Sequence, residues 1–237
     1  MTLILLSLAC VTNATAFESI KVVTEDWPPY NFSMPNGKVG GISTKIVRAV
    51  LDKTDLKYDI QVYPWARSFD MAQTQPNVLI YSIFRSRERE HLFKWICPLT
   101  PPVKLYLYRL TEKHSLNVEN IMDAKKYSTG VTRGDYPHHY LMNLGFTEAA
   151  HLQLSPNDDL NVRKLLNGRI DFVIEAQMTI RSILNKDHIA YAKVTPVLEI
   201  TRRNAAPNCM AFGKQTADSL VQKVRKALHE FNAQQIY

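Results

Sequence analysis

Three arginines, Arg85, Arg87 and Arg89, fall within five residues of one another in Ser82-Ile83-Phe84-Arg85-Ser86-Arg87-Glu88-Arg89-Glu90, directly after an apolar run. A guanidinium is a planar fork that grips a carboxylate through two parallel hydrogen bonds. A helical turn does not aim all three the same way. One is therefore expected in a cleft, with the others in solvent or paired with Glu88 and Glu90; a wholly solvated charged turn is the alternative. Trp27, Tyr30 and Trp65 each lie beside prolines just after apolar, strand-like runs. In open α/β sheets ligands sit beyond the carboxyl ends of strands, where an aromatic ring offers a flat wall with little rotamer freedom to lose; the alternative is a core position. Arg133-Gly134-Asp135 joins a strand-like run to a helical one, which suits close backbone approach to an anionic group. Asp171 and Glu175 flank Phe172-Val173-Ile174, and one of them is expected to accept a ligand ammonium. Glu175, at the strand end, is the better placed, whereas Asp171 also suits a cap or a pair with Arg169.

Signatures of catalysis are missing. The sequence has no GxSxG, no P-loop, no dinucleotide glycine fingerprint and no HExxH. His138 and His139 are adjacent, so on a helix they point apart, and they read as two exposed histidines rather than a chelate. The expectation is a binding protein, not an enzyme, with no cofactor and no metal.

The elements that must carry these residues follow from hydrophobic period and turn chemistry. Ile20–Thr24 reads as a strand, stopped by Trp27-Pro28-Pro29-Tyr30, where two prolines cannot donate to a ladder. Asn36-Gly37 and Gly40-Gly41 mark turns, and Ser43 is placed to cap a helix with Ile46, Val47, Val50 and Leu51 on one face. Leu56–Val62 alternates as a half-buried strand, Pro64 opens a helix to about Gln73, and Val78–Ile83 is a further strand. The middle of the chain repeats the style. Leu105–Tyr108 is extended, and strands are expected over Ser128–Val131 and Ile170–Ile174. Helices are expected over Tyr136–Asn143 and Leu160–Leu166 and, near the C-terminus, with Leu220, Val221, Val224, Leu228 and Phe231 on one face. This is an α/β architecture of two units without a flexible linker.

With 237 residues, 46% hydrophobic and 22% charged, the chain is long enough for a full core and too apolar for disorder. Its formal charge of +7 is dispersed, with no run longer than a pair such as Arg202-Arg203, which argues against nucleic acid. Met1–Ala16 is uncharged, with an apolar run Leu3–Val11 and a small-x-small pattern Ala14-Thr15-Ala16, so residues 1–16 read as a cleaved secretory leader. The usual basic residue ahead of the run is missing, and a buried first strand or lipid attachment at Cys10 are the alternatives. Cleavage leaves Cys97 and Cys209, which in an oxidising compartment either pair or stand as two buried thiols.

Taken together, Ile20–Phe32, Gly40-Gly41, Pro64-Trp65-Ala66-Arg67, Tyr81–Trp95, Gly130–Asp135 and Leu166–Ile174 run in the order found in, and the chain resembles, the family 3 bacterial solute-binding proteins. The resemblance implies a two-lobed periplasmic-binding-protein-like fold (type II), each lobe an open sheet flanked by helices and joined by two hinge strands. Lobe 1 would take residues 17–104 plus 207–237 and lobe 2 residues 105–206. It also implies a periplasmic monomer that captures a small polar ligand, an amino acid or related carboxylate, for uptake through an inner-membrane ABC permease. In that pattern Arg89 of Ser86-Arg87-Glu88-Arg89 holds the ligand carboxylate, Trp27 and Trp65 are walls, and Arg133-Gly134-Asp135 and Glu175 face it from the second lobe. On the strand before the arginine motif, where the family favours small or hydroxyl residues, this chain has Ser82 but also Phe84 and an extra Arg85. Two rival readings go with the same fold: a secreted enzyme resembling the cyclic-acid dehydratases, with Glu175 as acid or base, and a sensing or scaffold protein without transport.

Overall fold

The computed structural model describes residues 19–201 and 207–234, so the expected leader at 1–16 lies outside the described residues. The chain opens with β1 (Ser19–Thr24), whose Val22 and Val23 have no exposed surface. A two-residue hairpin, β2 (Phe32–Ser33) and β3 (Val39–Gly40), leads into α1 (Ile42–Leu51). The expected cap, Ser43, instead lies within the first turn. Gly41 is the N-cap at φ 115°, and a Cβ there would lie 2.3 Å from the Tyr30 carbonyl oxygen, so a side chain is excluded. Next come β4 (Lys57–Val62), α2 (Trp65–Thr74) and β5 (Val78–Phe84), the last buried at every residue. Strand β6 (Phe93–Thr100) ends this run, and β7 (Leu105–Leu110) begins the second half. That half continues with β8 (Thr129–Thr132), α3 (Tyr136–Asn143), β9 (Leu152–Ser155), α4 (Asp158–Leu166), β10 (Phe172–Ala176), α5 (Gln177–Lys186) and β11 (Val194–Glu199). The chain then returns through β12 (Asn208–Gly213) to α6 (Asp218–Gln234).

Two five-stranded sheets result. The first has the order β4-β1-β5-β12-β6, the second β11-β7-β10-β8-β9. In the first, β1 runs parallel to β4 and β5, while β12 is antiparallel to both its neighbours. In the second, β10 and β8, and β8 and β9, run parallel, and β7 is antiparallel to β10 and β11. Helices cover both faces of each sheet, because a mostly parallel sheet must bury both. Val47, Val50, Leu51, Leu220, Val224 and Leu228 of α1 and α6 pack with Val22 and Leu79 on one face of the first sheet. Met71 and Ala72 of α2 pack with Ile80 and Ala211 on the other. On the second sheet, Val162, Leu165, Ile180 and Ile183 of α4 and α5 pack with Tyr108 and Val173. Another apolar cluster holds Trp27, Tyr30 and Phe84 beside Leu105, Leu107 and Ile174, so it runs from one lobe into the other.

Cys97 on β6 and Cys209 on β12 form a disulfide, with 4.7 Å between their Cα atoms and 112 residues of sequence separation. It joins the strand that leaves the first sheet to the strand that comes back into it. Closing so long a loop restricts the unfolded chain, which by the entropic account stabilises the fold by about 5 kcal/mol. Replacing Cys97 and Cys209 together by alanine should lower the denaturation free energy by that amount in urea titrations; an unchanged midpoint would show the bridge to be energetically idle.

Candidate functional site

The carboxyl ends of the parallel strands of both sheets meet at one cavity. Its lining includes Glu25 just past β1, Ser82 and Phe84 at the end of β5, Asp135 past β8, Asp158 past β9, and Ile174 and Glu175 on β10. Trp27, Trp65 and Arg89 complete the first-lobe wall, and Leu105, Tyr136 and Pro137 the second. The space amounts to about 400 Å³ including its mouth.

Local chemistry fixes each wall. The loop after β1 folds into a tight turn, with Tyr30 N–H donating to the Trp27 carbonyl at 2.9 Å and Asn31 Nδ2 donating to the Glu25 carbonyl at 2.7 Å. The Trp27 ring stacks on Tyr30 at 4.2 Å and meets Phe84 edge-on at 5.7 Å. Ser82 sits at φ +60°, opposite a register shift between Cys209 and Met210 of β12. This is a bulge in a left-handed conformation, costly for a residue with a side chain, and it leaves the buried Ser82 hydroxyl on the cavity without a hydrogen-bond partner. Asp135 caps α3, accepting from His138 N–H at 2.8 Å.

Three first-lobe donors cross to second-lobe acceptors. Trp27 Nε1 donates to Glu175 Oε1 at 3.2 Å, and Trp65 Nε1 and Arg89 Nη2 both donate to the Gly134 carbonyl at 2.7 and 3.1 Å. Arg89 Nη1 donates to the Phe84 carbonyl at 3.3 Å, and the guanidinium lies 5.1 Å from the Trp65 ring and 5.4 Å from Phe69. Only 3% of Arg89 is exposed.

Not every expected residue reaches the cavity. Arg85 points outward in a two-bond pair with Glu90, at 2.6 and 2.7 Å, and lies over Trp95, because it follows Phe84, which lines the cavity, and adjacent residues of an extended run face opposite ways. Arg133 is exposed; it borders a separate interlobe depression with Pro64, Ala66, Leu154, Ser155 and Pro156. Tyr30 backs Trp27 instead of lining the cavity, its hydroxyl reaching Met178 Sδ across the lobes at 3.8 Å. Gly134 contributes an accepting carbonyl, not anion-binding N–H groups: its own N–H goes to His138 Nδ1 at 3.0 Å. His138 is consequently buried, in contrast to the exposed pair expected. Asp171 is committed to Lys113 and to Ser128, away from the cavity. Two lining carboxylates, Glu25 and Asp158, escaped the sequence reading.

Four carboxyl groups thus surround one guanidinium. Burial pushes Glu25, Asp135 and Glu175 well above the ordinary carboxyl range, and Asp158 adds to the rise of each. Burial raises Asp158 too, while its proximity to Glu175 lowers Asp158 and lifts Glu175 further. Burial pulls Arg89 down to about 10, against the charges of Asp135 and Glu25. Among the described residues no group of three or more His, Cys, Asp or Glu side chains has the geometry of a metal site, and no helix is long and apolar enough to cross a membrane.

Comparison with known proteins agrees with this geometry. The model of the bacterial extracellular solute-binding proteins, family 3, matches residues 20–237. Among solved structures, a histidine kinase sensor domain with similarity to periplasmic binding proteins is 19% identical, covering 93% of each chain with a TM-score of 0.79. An ancestral arginine-binding protein bound to arginine is 19% identical, covering 91% of this chain and 92% of the other at a TM-score of 0.78. A Salmonella typhimurium periplasmic binding protein with high arginine specificity is 15% identical, covering 91% and 94% at a TM-score of 0.75. No curated protein sequence matches the chain.

The carboxyl cluster also sets a pH dependence. A carboxyl that binds its proton more tightly folded than unfolded stabilises the fold while that proton stays on, and the contribution is lost as pH rises through the folded-state value. Without a ligand, the melting temperature should therefore fall as pH rises above the ordinary carboxyl range. Glu175→Gln, which needs no proton, should flatten the fall; an identical slope in the variant would reject Glu175 as one of its sources.

Proposed function

The chain belongs to the bacterial extracellular solute-binding proteins of family 3, and from that membership we propose that it is a receptor that closes two lobes around a small polar solute carrying an ammonium or guanidinium group. An amino acid or a close relative of one is the solute class. The observation that supports this is the acidic lining of the cavity: Glu25, Asp135, Asp158 and Glu175 face it, with Arg89 as the one lining cation among the described residues. Trp27 and Trp65 wall the space with π faces that attract organic cations. The unpartnered Ser82 hydroxyl is a further handle. A purely anionic solute would meet this cluster with like charge, so the acid half of the amino-acid-or-carboxylate expectation is the weaker one.

In this reading the leader at 1–16 delivers the chain to the periplasm, lobes 17–104 plus 207–237 and 105–206 rock about their two connections, and Trp27, Trp65, Glu175 and Asp135 enclose the solute. Arg89 stands at the inner end, where it offers its free N–H groups to whatever acceptor the solute presents. The closed form then docks, as a monomer, on an inner-membrane ABC permease. The solute is released unchanged, so Glu175 serves as a charge partner and not as a proton shuttle. The likeness to a histidine kinase sensor domain supports a second reading, in which closure reports the solute to a membrane sensor. Cross-linking of the ligand-closed protein in its own membranes separates the two by the partner captured.

A thermal-shift and calorimetric panel tests the main reading. Arginine, lysine, ornithine and their amine relatives should raise the melting temperature by linkage, whereas glutamate and other acids should not. Glu175→Gln should weaken a cationic solute at least about tenfold, the order expected when a buried charge loses its partner. Tight glutamate binding, or chemical conversion of a bound solute seen by mass spectrometry, would overturn the reading.

A further inference from the structure

The cavity has unequal means for the two ends of an amino acid. Its cationic end finds four carboxyl groups, a free hydroxyl at Ser82 and the faces of Trp27 and Trp65. Its carboxylate end finds Arg89 alone, and Arg89 is already engaged. That guanidinium donates to the Phe84 carbonyl and to the Gly134 carbonyl, and it lies against the Trp65 and Phe69 rings. Asp135 and Glu25 act on it as counter-charges. A solute carboxylate seated there would compete with the Phe84 and Gly134 carbonyls for the guanidinium and would share the cavity with the Asp135 and Glu25 carboxyl groups. The charge count points the same way. Among the described residues, four carboxyl groups face the cavity against one guanidinium, so acidic side chains outnumber the lining cation. An arginine or lysine zwitterion brings a net charge of only about +1, while a solute with two cationic groups and no carboxylate brings about +2.

We propose that the solute selected by this cleft is a dication lacking a carboxylate, an α,ω-diamine or a guanidinoalkylamine, with Arg89 acting as an internal counter-charge and interlobe fastener rather than as a carboxylate clamp. This rests on the reading above that the cleft encloses a cationic solute. One ammonium would face Glu175 and Asp158, and the second group Asp135 and Glu25.

Matched pairs that differ only by the α-carboxylate test it: arginine and agmatine, lysine and cadaverine, ornithine and putrescine, each titrated calorimetrically into the mature protein at constant ionic strength. The amine member of each pair should bind at least about tenfold tighter, one decade being 1.4 kcal/mol. Asp135→Asn, which retains a good helix cap, should narrow the gap by making room for a carboxylate beside Arg89. Amino acids that bind as tightly as their amines, with Glu175→Gln still weakening them, would overturn this inference and leave the cationic-solute reading standing. No binding by any of the six would remove both. A gap between the pair members that Asp135→Asn leaves untouched would refute the crowding of Arg89 as its cause.

Discussion

One guanidinium and four carboxyl groups lining a single interlobe cavity are the constraint around which the rest of the molecule is arranged. Charges of one sign gathered in a poorly hydrated place cannot all stay ionised. Arg89 offsets part of the excess, and the raised proton affinity of Glu25, Asp135 and Glu175 offsets another part. What is left is available to a positively charged guest. Each carboxyl group comes from a different strand end or the loop just beyond it, so no short segment carries the surplus on its own. It exists only when both sheets are folded and brought face to face.

The aromatic walls and the backbone specials serve that meeting. Trp27 is held by Tyr30 behind it and Phe84 beside it, and its indole N–H reaches Glu175 on the opposite sheet. Trp65 performs the matching task at the Gly134 carbonyl, which it shares with Arg89. Polar tips on apolar bodies suit a surface that must be buried in one state and hydrated in the other. Ser82 keeps an unfavourable backbone angle between the two walls, where β5 and β12 fall out of register.

Much of this was legible in the residues. The alternating run at 56–62 and the apolar runs at 20–24 and 78–83 are strands, and the helical faces at 46–51 and 220–231 are helices, because burial on one face leaves a period and burial on both leaves an unbroken apolar run. Trp27, Trp65, Arg89, Asp135 and Glu175 were found because unusual side chains stand just beyond strand ends. Strands β6 and β11 were harder to see. Each carries a proline, Pro98 or Pro196, tolerated since both are edge strands with one side free of ladder bonds. Strand β12 begins with Asn208 and ends with Gly213, and only its place between β5 and β6 makes it a strand. Asp158 was hidden within Asn157-Asp158-Asp159, where acidic residues at a helix start read as dipole partners. Glu25 was overshadowed by the aromatic motif beside it, although a carboxylate right after a buried strand is itself a pointer. Arg133 misled because Gly134, at φ +73°, turns the chain so that the neighbours on either side of the glycine face different ways.

The strand by which the chain departs from the first sheet and the strand by which it comes home lie side by side, and sulfur ties them together. Topologically, everything from β7 to β11 is a guest inserted between two neighbours of a finished host. The host's ladder is complete without its guest, so melting of the second sheet need not unravel the first. Order can be lost and regained in two instalments, with the bridged pair of strands acting as the fixed doorstep for the part that comes and goes.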